Sequence, residues 1–178
     1  MRISSAALDR LLREQHPRIR AVCLRILGNH ADADDAAQNA LIQITRSIGS
    51  FDERSSLNTW VYRIATNAAL DEVRRRNRRP LSLVDDVDPS SSVTTVDDTA
   101  RVDDRDELSA ALSAIPEEYR VAVVLRDIGD LDYDEIAEVL GVPGGTVRSR
   151  IARGRARLAD LLGNPHDPSE RLTPGTPS

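Results

Sequence analysis

Arginine side chains at helical spacing carry the clearest potential chemistry in this sequence. Between residues 144 and 162 there are five of them: Arg148, Arg150, Arg153, Arg155 and Arg157. A guanidinium group can grip a guanine edge with two hydrogen bonds, or it can neutralise a backbone phosphate. The small side chains of Ser149 and Ala152 let a helix backbone approach the bases. This segment therefore predicts a surface that reads duplex DNA, the alternative being a solvated surface helix.

A second basic segment closes the first eighty residues, where five of the six positions 74–79 are arginine. On a helix, Arg63, Asn67, Arg74 and Arg78 fall within about 60° of one another. Such a row can follow a phosphate backbone, and the Asn67 amide can both donate to and accept from a base. The plainer alternative is that basic residues at a helix end complement the helix dipole.

The loop before this helix adds groups suited to an unpaired base. Phe51 offers an aromatic ring, Ser55 and Ser56 offer hydroxyl groups, and Trp60 lies at the border of the basic row. A single-stranded base needs a stacking or apolar wall together with partners for its Watson–Crick edge. The loop and the row together predict a site for single-stranded nucleic acid near Asn67.

A short turn positions the arginine-rich helix. Gly141 ends one helical segment and Pro143 forbids its simple continuation, so that a second helix begins near residues 144–146. Opposite the arginines, the second helix has an apolar stripe formed by Val147, Ile151, Gly154 and Leu158. This stripe must pack on a neighbouring helix. Two helices joined in this way predict a helix-turn-helix unit.

Composition favours an all-α fold in two small domains. Aromatic residues make up only 3% of the 178 residues, and β-branched alternation is absent, so Leu, Ile, Val and Ala must fill helical cores. Gly28 and Pro80 indicate helix ends, and we expect Pro17 to break or kink the first helix. The predicted helices span 6–28, 32–48, 57–79, 106–115, 117–127, 132–141 and 145–162.

Charge divides the chain at the same places. The net charge of the whole is −5, yet residues 1–80 carry +5 and residues 81–107 carry −7. We therefore predict a first domain over 1–80, a flexible acidic linker over 81–105, a second domain over 106–163 and a disordered tail over 164–178. The one cysteine, Cys23, and three scattered histidines show no metal-ligand spacing, and no signal peptide or membrane span is visible.

Three segments resemble the extracytoplasmic-function (ECF) group of the bacterial sigma-70 family of RNA polymerase sigma factors. The Asp-Ala-Asp-Asp-Ala-Ala-Gln segment at 32–38 is similar to region 2.2. Phe51 and the segment 57–67 are similar to regions 2.3 and 2.4. Residues 115–116, 133–137 and 145–150 are similar to region 4. They occur in the family's order, with the acidic linker between them.

The resemblance implies a division of labour among these residues. The helix starting at Asp32 would bind the polymerase core through Asp35, Gln38, Asn39, Leu41 and Ile42. Because the side chains of Ala36 and Ala37 are small, the apolar contacts would shift to Leu41 and Ile42. The loop at 51–56 and Asn67 would capture a flipped base of the −10 promoter element. The residues that would contact the single-stranded −10 DNA are Phe51, Ser55, Ser56, Trp60, Arg63, Asn67, Arg74 and Arg78. Duplex −35 DNA would be read by Thr146, Arg148, Ser149, Ala152 and Arg153, with Arg150 and Arg157 on phosphates.

The same resemblance implies an inhibitory anti-sigma partner. A cytoplasmic location without membrane insertion is predicted because no signal peptide or membrane span is visible. The resemblance also implies recruitment of a polymerase, with no catalytic residue, metal or cofactor in this chain. Two other classes remain open. A helix-turn-helix regulator that acts without polymerase would use the 131–162 unit alone, usually as a dimer on palindromic sites. An enzyme would need the acidic cluster Asp32, Asp34 and Asp35 to have convergent partners, and the sequence shows none.

Overall fold

A computed structural model describes residues 4–78 and 99–163, giving the backbone alone for residues 99–106. Seven α-helices and one short 3₁₀ helix, with no strand in these ranges, confirm the predicted all-α fold. They are α1 (Ser5–Leu27), α2 (His30–Ser47), the 3₁₀ turn Ile48–Ser50, α3 (Leu57–Arg78), α4 (Thr99–Ala114), α5 (Glu117–Asp127), α6 (Tyr133–Leu140) and α7 (Gly144–Leu161).

Local sequence sets most of these helix ends. The Ser4 hydroxyl accepts from the Ala7 amide at the start of α1, and Gly28 ends that helix with φ = 77°. The Asn29 side chain accepts from the Asp32 amide at 2.8 Å and so begins α2. These side chains satisfy amide groups that a helix start leaves without partners.

Of the break or kink predicted at Pro17, the break does not occur. Helix α1 is continuous from Ser5 to Leu27. Because proline has no amide hydrogen, the carbonyl group of Arg13 loses its hydrogen bond within the helix. Pro17 and Arg13 are both exposed, so water can bond to that carbonyl group. Packing of Ile19, Val22 and the rest of the C-terminal half against α2 and α3 holds the helix together.

Helix α4 begins at Thr99, seven residues earlier than the predicted start at 106. The C-terminal part of the stretch predicted as linker is therefore helical. The rest of that stretch and the predicted tail lie outside the described residues. Within the described ranges, no helix is long and apolar enough to cross a membrane.

Helices α1, α2 and α3 form one packed group and α4 to α7 form a second, and the buried side chains of both groups belong to one continuous cluster. The face of α2 in the first group consists of small side chains, which let the helices approach closely: Ala33, Ala36, Ala37 and Ala40. The two groups of helices also touch each other, since α6 packs on α3, and α4 and α5 pack on α1.

Candidate nucleic-acid interface

The buried side of α7 is the one that its sequence predicts. Val147, Ile151, Gly154 and Leu158 are all buried, and the helix packs mainly on α5. A Cβ placed on Gly154 would lie 2.6 Å from Val123 Cγ2, so glycine permits the close approach of the two helices. This packing turns the opposite side of α7 toward solvent.

That outward side contains the predicted DNA-reading residues. Arg148, Ser149, Ala152 and Arg153 are exposed, and Thr146 at the helix start is half-buried. Two small residues between two arginines leave room for the edges of bases beneath the helix backbone. The structure therefore brings all five predicted −35 residues onto the first three turns of one helix.

Two tyrosines hold arginines of this surface in place. The Tyr133 ring, at the start of α6, lies 5.8 Å from the Arg148 guanidinium and 5.4 Å from that of Arg126. Such cation–π contacts are worth about 0.5–1 kcal/mol at exposed positions. Tyr133 thus limits the orientations that Arg148 can adopt before any DNA arrives, which lowers the entropy cost of a base contact.

Tyr119 on α5 acts in the same way on two other arginines. Its hydroxyl group accepts from Arg153 Nη1 at 3.5 Å, and this contact raises the pKa of Arg153. The Arg157 guanidinium lies 5.6 Å above the Tyr119 ring. The sequence does not predict these contacts, because Tyr119 and Tyr133 lie far from the arginines of α7 along the chain.

The two arginines predicted to contact phosphate differ in their surroundings. Arg150 is half-buried and donates to Glu118 at 3.2 Å, while Arg157 is exposed. Arg155, which had no predicted role, forms an ion pair with Asp127 of α5, and that pairing raises its pKa. The ion pairs of Arg150 and Arg155 thus link α7 to α5.

The aromatic residues of the predicted −10 site lie in the core. Phe51 and Trp60 pack against each other with their ring centroids 5.4 Å apart, and less than a tenth of each residue is exposed. The prediction of an open stacking ring at Phe51 therefore does not describe this conformation. The two rings support the 51–56 loop from beneath.

The polar residues predicted for this site lie around the start and along the outer side of α3. The Ser56 hydroxyl group accepts from the Thr59 amide at 3.0 Å and caps the helix. Ser55 and Arg63 are half-buried, and Asn67 is exposed one turn beyond Arg63. Ser56 and Arg63 donate to the carboxylates of Glu135 and Glu138 on α6, whereas Asn67 faces solvent.

The basic end of α3 is open to solvent. Arg74 and Arg78 are exposed; Arg74 Nη1 donates to Asp71 at 3.0 Å, and Arg78 Nε donates to the Arg74 carbonyl. The buried side of α3 is broad. It centres on Val61, Tyr62 and Ala65, because α1, α2 and α6 all pack on this helix.

A separate face of α2 holds the residues predicted to bind polymerase. Asp35, Gln38 and Asn39 are exposed and Leu41 is half-buried, while 41% of Ile42 is exposed. A shallow groove in this face is lined by Gln38, Leu41, Ile42, Thr45 and Arg46. The combination of apolar and polar groups suits a protein partner.

A helical bundle joined to a helix-turn-helix domain, each with a basic outer surface, defines a two-domain DNA-binding protein. Residues 11–79 match the family model for Sigma-70 region 2, and residues 105–158 match that for Sigma-70, region 4. The boundaries of the matches fall close to the two groups of helices.

Two curated relatives support this assignment. ECF RNA polymerase sigma factor SigM of Mycobacterium tuberculosis is 39% identical over 157 residues, which cover 88% of this chain and 78% of SigM. ECF RNA polymerase sigma factor SigE of Mycolicibacterium smegmatis is 41% identical over 157 residues. That alignment covers 86% of this chain and 61% of SigE, so the chain spans about three-fifths of that relative's length.

A solved structure shows the same arrangement. The sigma factor RpoE from Bartonella quintana, crystallised with the anti-sigma factor NepR, superposes with a TM-score of 0.70 at 25% identity. The superposition covers 86% of this chain and 95% of RpoE. The chain belongs to the extracytoplasmic-function group of RNA polymerase sigma factors.

Proposed function

We propose that this chain is an alternative sigma factor that binds the RNA polymerase core and directs it to promoters with specific −10 and −35 elements. The observation that carries the proposal is the presence of two different candidate nucleic-acid surfaces on one chain. One is the base-reading side of α7, and the other is the polar row along α3. A regulator that binds duplex DNA alone has no need of the second.

Within this proposal, α7 reads the −35 element as duplex. Arg148 and Arg153 contact base edges, while Ser149 and Ala152 allow the close approach. Arg150 and Arg157 contact phosphates, Arg150 after release from Glu118. Tyr133 and Tyr119 are positioning residues, because their contacts restrict the arginines and need not touch DNA.

The start and outer side of α3 receive the unpaired −10 strand. Ser55, Ser56 and Asn67 supply hydrogen-bonding groups for an extruded base, Arg63 lies between them, and Arg74 and Arg78 follow the phosphates. Phe51 and Trp60 act as the support of this site. The phosphodiester bonds of RNA are formed by the polymerase, and this chain contributes recognition and strand capture.

The exposed face of α2 binds the polymerase core. Ile42 and Leu41 supply apolar contact, and Asp35, Gln38 and Asn39 surround them with polar groups. Because its partner is RNA polymerase, we place the protein in the cytoplasm. The chain also has an anti-sigma partner in this proposal; support comes from the similar fold of RpoE, which was crystallised with one.

Ile42→Asp tests the polymerase contact. Burying an isoleucine side chain contributes about 1.5–3 kcal/mol, so its loss should weaken core binding by about tenfold or more. The measurement is fluorescence anisotropy of the labelled protein titrated with purified bacterial core polymerase.

Ile128→Asp is the matched control, since Ile128 has 38% exposure but lies at the end of α5 in the other domain. It should bind the core like the wild type. Equal weakening by both substitutions, or by neither, would contradict the assignment of α2. Absence of core binding by the wild-type protein would favour the regulator that acts without polymerase.

A further inference from the structure

Two consecutive residues at the start of α5 contact three arginines of α7. Tyr119 accepts from Arg153 through its hydroxyl group and lies under Arg157 with its ring. Glu118, the residue before it, accepts from Arg150 Nη2 at 3.2 Å through Oε2, and the two side chains form an ion pair. The three arginines follow helical spacing, so they form one margin of the base-reading side of α7.

Glu118 and Tyr119 hold their arginines in chemically different ways. Tyr119 offers a neutral ring and a neutral oxygen, so both arginines that it touches keep their full charge available to DNA. Glu118 carries a negative charge and occupies an N–H group of Arg150. A carboxylate oxygen and a phosphate oxygen accept from the same donors of a guanidinium group. Glu118 is therefore chemically equivalent, at this position, to a DNA phosphate.

Arg150 is the less accessible member of the ion pair. Only 24% of its side chain is exposed, whereas 51% of the Glu118 side chain is exposed. A strand that approaches Arg150 therefore meets the carboxylate group at the same time. Contact with a phosphate then either breaks the ion pair or places two anions against one guanidinium group, where they repel each other. In both cases Arg150 contributes less to binding than an unpaired arginine would.

The influence of Glu118 is confined to one margin of α7. The hydrogen bond to Tyr119 is the main cause of the raised pKa of Arg153, and the charge of Glu118 adds to it. On the opposite margin, Arg148 contacts the neutral ring of Tyr133. The carboxylate group thus acts mainly on the arginine to which the proposed function gives a phosphate contact.

We infer that Glu118 competes with DNA phosphate for Arg150 and so limits the sequence-independent affinity of α7 for duplex DNA. The inference rests on the proposed function of α7, in which Arg150 contacts phosphate. Such contacts supply essentially all of the binding to random sequence. Competition by Glu118 lowers the affinity for promoter and random duplex alike, and it leaves the choice of bases to Arg148 and Arg153.

Glu118→Gln tests the competition in the full-length protein, because it removes the charge at constant size. The freed Arg150 should tighten duplex binding by about 1.5- to fivefold, the range for one exposed ion pair. The slope of log K against log salt should become steeper by up to about 0.9, since one more counterion is released. Fluorescence anisotropy at several salt concentrations measures both quantities. Two labelled duplexes of equal length, one containing the −35 element and one of random sequence, should show the same change.

Glu117→Gln is the matched control. Glu117 is exposed in the same first turn of α5, so its substitution removes the same net charge and the same favourable interaction with the helix start. Its charge acts on Arg120 of its own helix, where it opposes the lowering of the arginine pKa by burial. Glu117→Gln should therefore retain a duplex affinity and a salt slope close to those of the wild type.

An Arg150→Ala background separates competition for this arginine from a general effect of charge. Without Arg150 the carboxylate group has nothing to compete for, so Arg150→Ala/Glu118→Gln should bind duplex DNA like Arg150→Ala alone. Far-UV circular dichroism melting checks that each variant is folded. Should Glu118→Gln be unstable, Glu118→Asp keeps the acid at the helix start with a shorter reach, and it should give a smaller tightening.

Three results would overturn the inference: wild-type binding by Glu118→Gln, equal tightening by Glu117→Gln, or equal tightening in the Arg150→Ala background. The binding measurements need no polymerase, so they are independent of the transcription assay. If the wild type starts polymerase-dependent transcription while Glu118→Gln binds duplex DNA unchanged, the inference fails and the proposed function stands. If Glu118→Gln tightens binding as expected but the wild type supports no such transcription, competition for Arg150 stands and the sigma-factor function fails.

Discussion

Gly154→Ala should destabilise the helix-turn-helix domain even though alanine is the better helix former. The added Cβ would lie 2.6 Å from Val123 Cγ2 and 3.3 Å from both the Cβ and the carbonyl oxygen of Tyr119. Overpacking of this kind costs about 1–3 kcal/mol, and the gain in helix propensity returns about 1 kcal/mol at most. The free energy of unfolding should therefore fall by up to about 2 kcal/mol. Urea titration followed by far-UV circular dichroism measures it.

Two further variants isolate the steric cause. Gly145 lies on the same helix with no atom within 4 Å of its Cβ position, so Gly145→Ala should be neutral or slightly stabilising. Val123→Ala removes the nearest clashing atom, and Gly154→Ala should cost less in that background than in the wild type. If Gly154→Ala proves as stable as Gly145→Ala, the close approach of α5 and α7 is wrong.

Other substitutions test individual side chains of the interface. Arg153→Ala should weaken −35 duplex binding and relax discrimination between −35 sequences, whereas Arg157→Ala should reduce the slope of log K against log salt by about 0.9. Asn67→Ala should impair open-complex formation and leave duplex binding intact; equal loss of both activities in Arg153→Ala and Asn67→Ala would refute the division of labour. Tyr133→Leu should reduce discrimination between −35 sequences, because Arg148 loses its ring contact, and Tyr133→Phe should retain it; competition binding with single-base variants is the readout. Burial raises the pKa of the Cys23 thiol from 9.0 to about 12. The folded protein should therefore resist alkylation at pH 8, and its free energy of unfolding should decline as pH rises from about 9 toward 12, because only the unfolded thiol ionises in that range. Rapid labelling without unfolding would contradict the burial of Cys23.

Local chemistry made much of the second domain predictable. The four buried positions of α7 follow from helical periodicity, and the predicted 117–127 helix coincides with α5. Gly141 adopts φ = 63° and ends α6, as a glycine between two helices suggests. In these segments, propensity, periodicity and capping all favour the same structure, and tertiary packing does not oppose them.

The failures arise where distant parts of the chain meet. Helix α3 is buried over a broad side because α6 packs on it in addition to α1 and α2, and no pattern within the helix shows this third neighbour. Phe51 suggested a base-stacking ring because a sequence does not show that Trp60 covers it. The contacts of Tyr133 with Arg148 and of Glu138 with Arg63 join residues that no local pattern connects.

Selective initiation of transcription tests the proposed sigma-factor function most directly. Purified protein is mixed with bacterial core RNA polymerase and a pool of promoter fragments, and the RNA products are sequenced to locate their start sites. We expect initiation that depends on the added protein, from fragments that share one −10 and one −35 element at a fixed spacing. Duplex DNA binding without core association and without protein-dependent transcripts would contradict the proposed function.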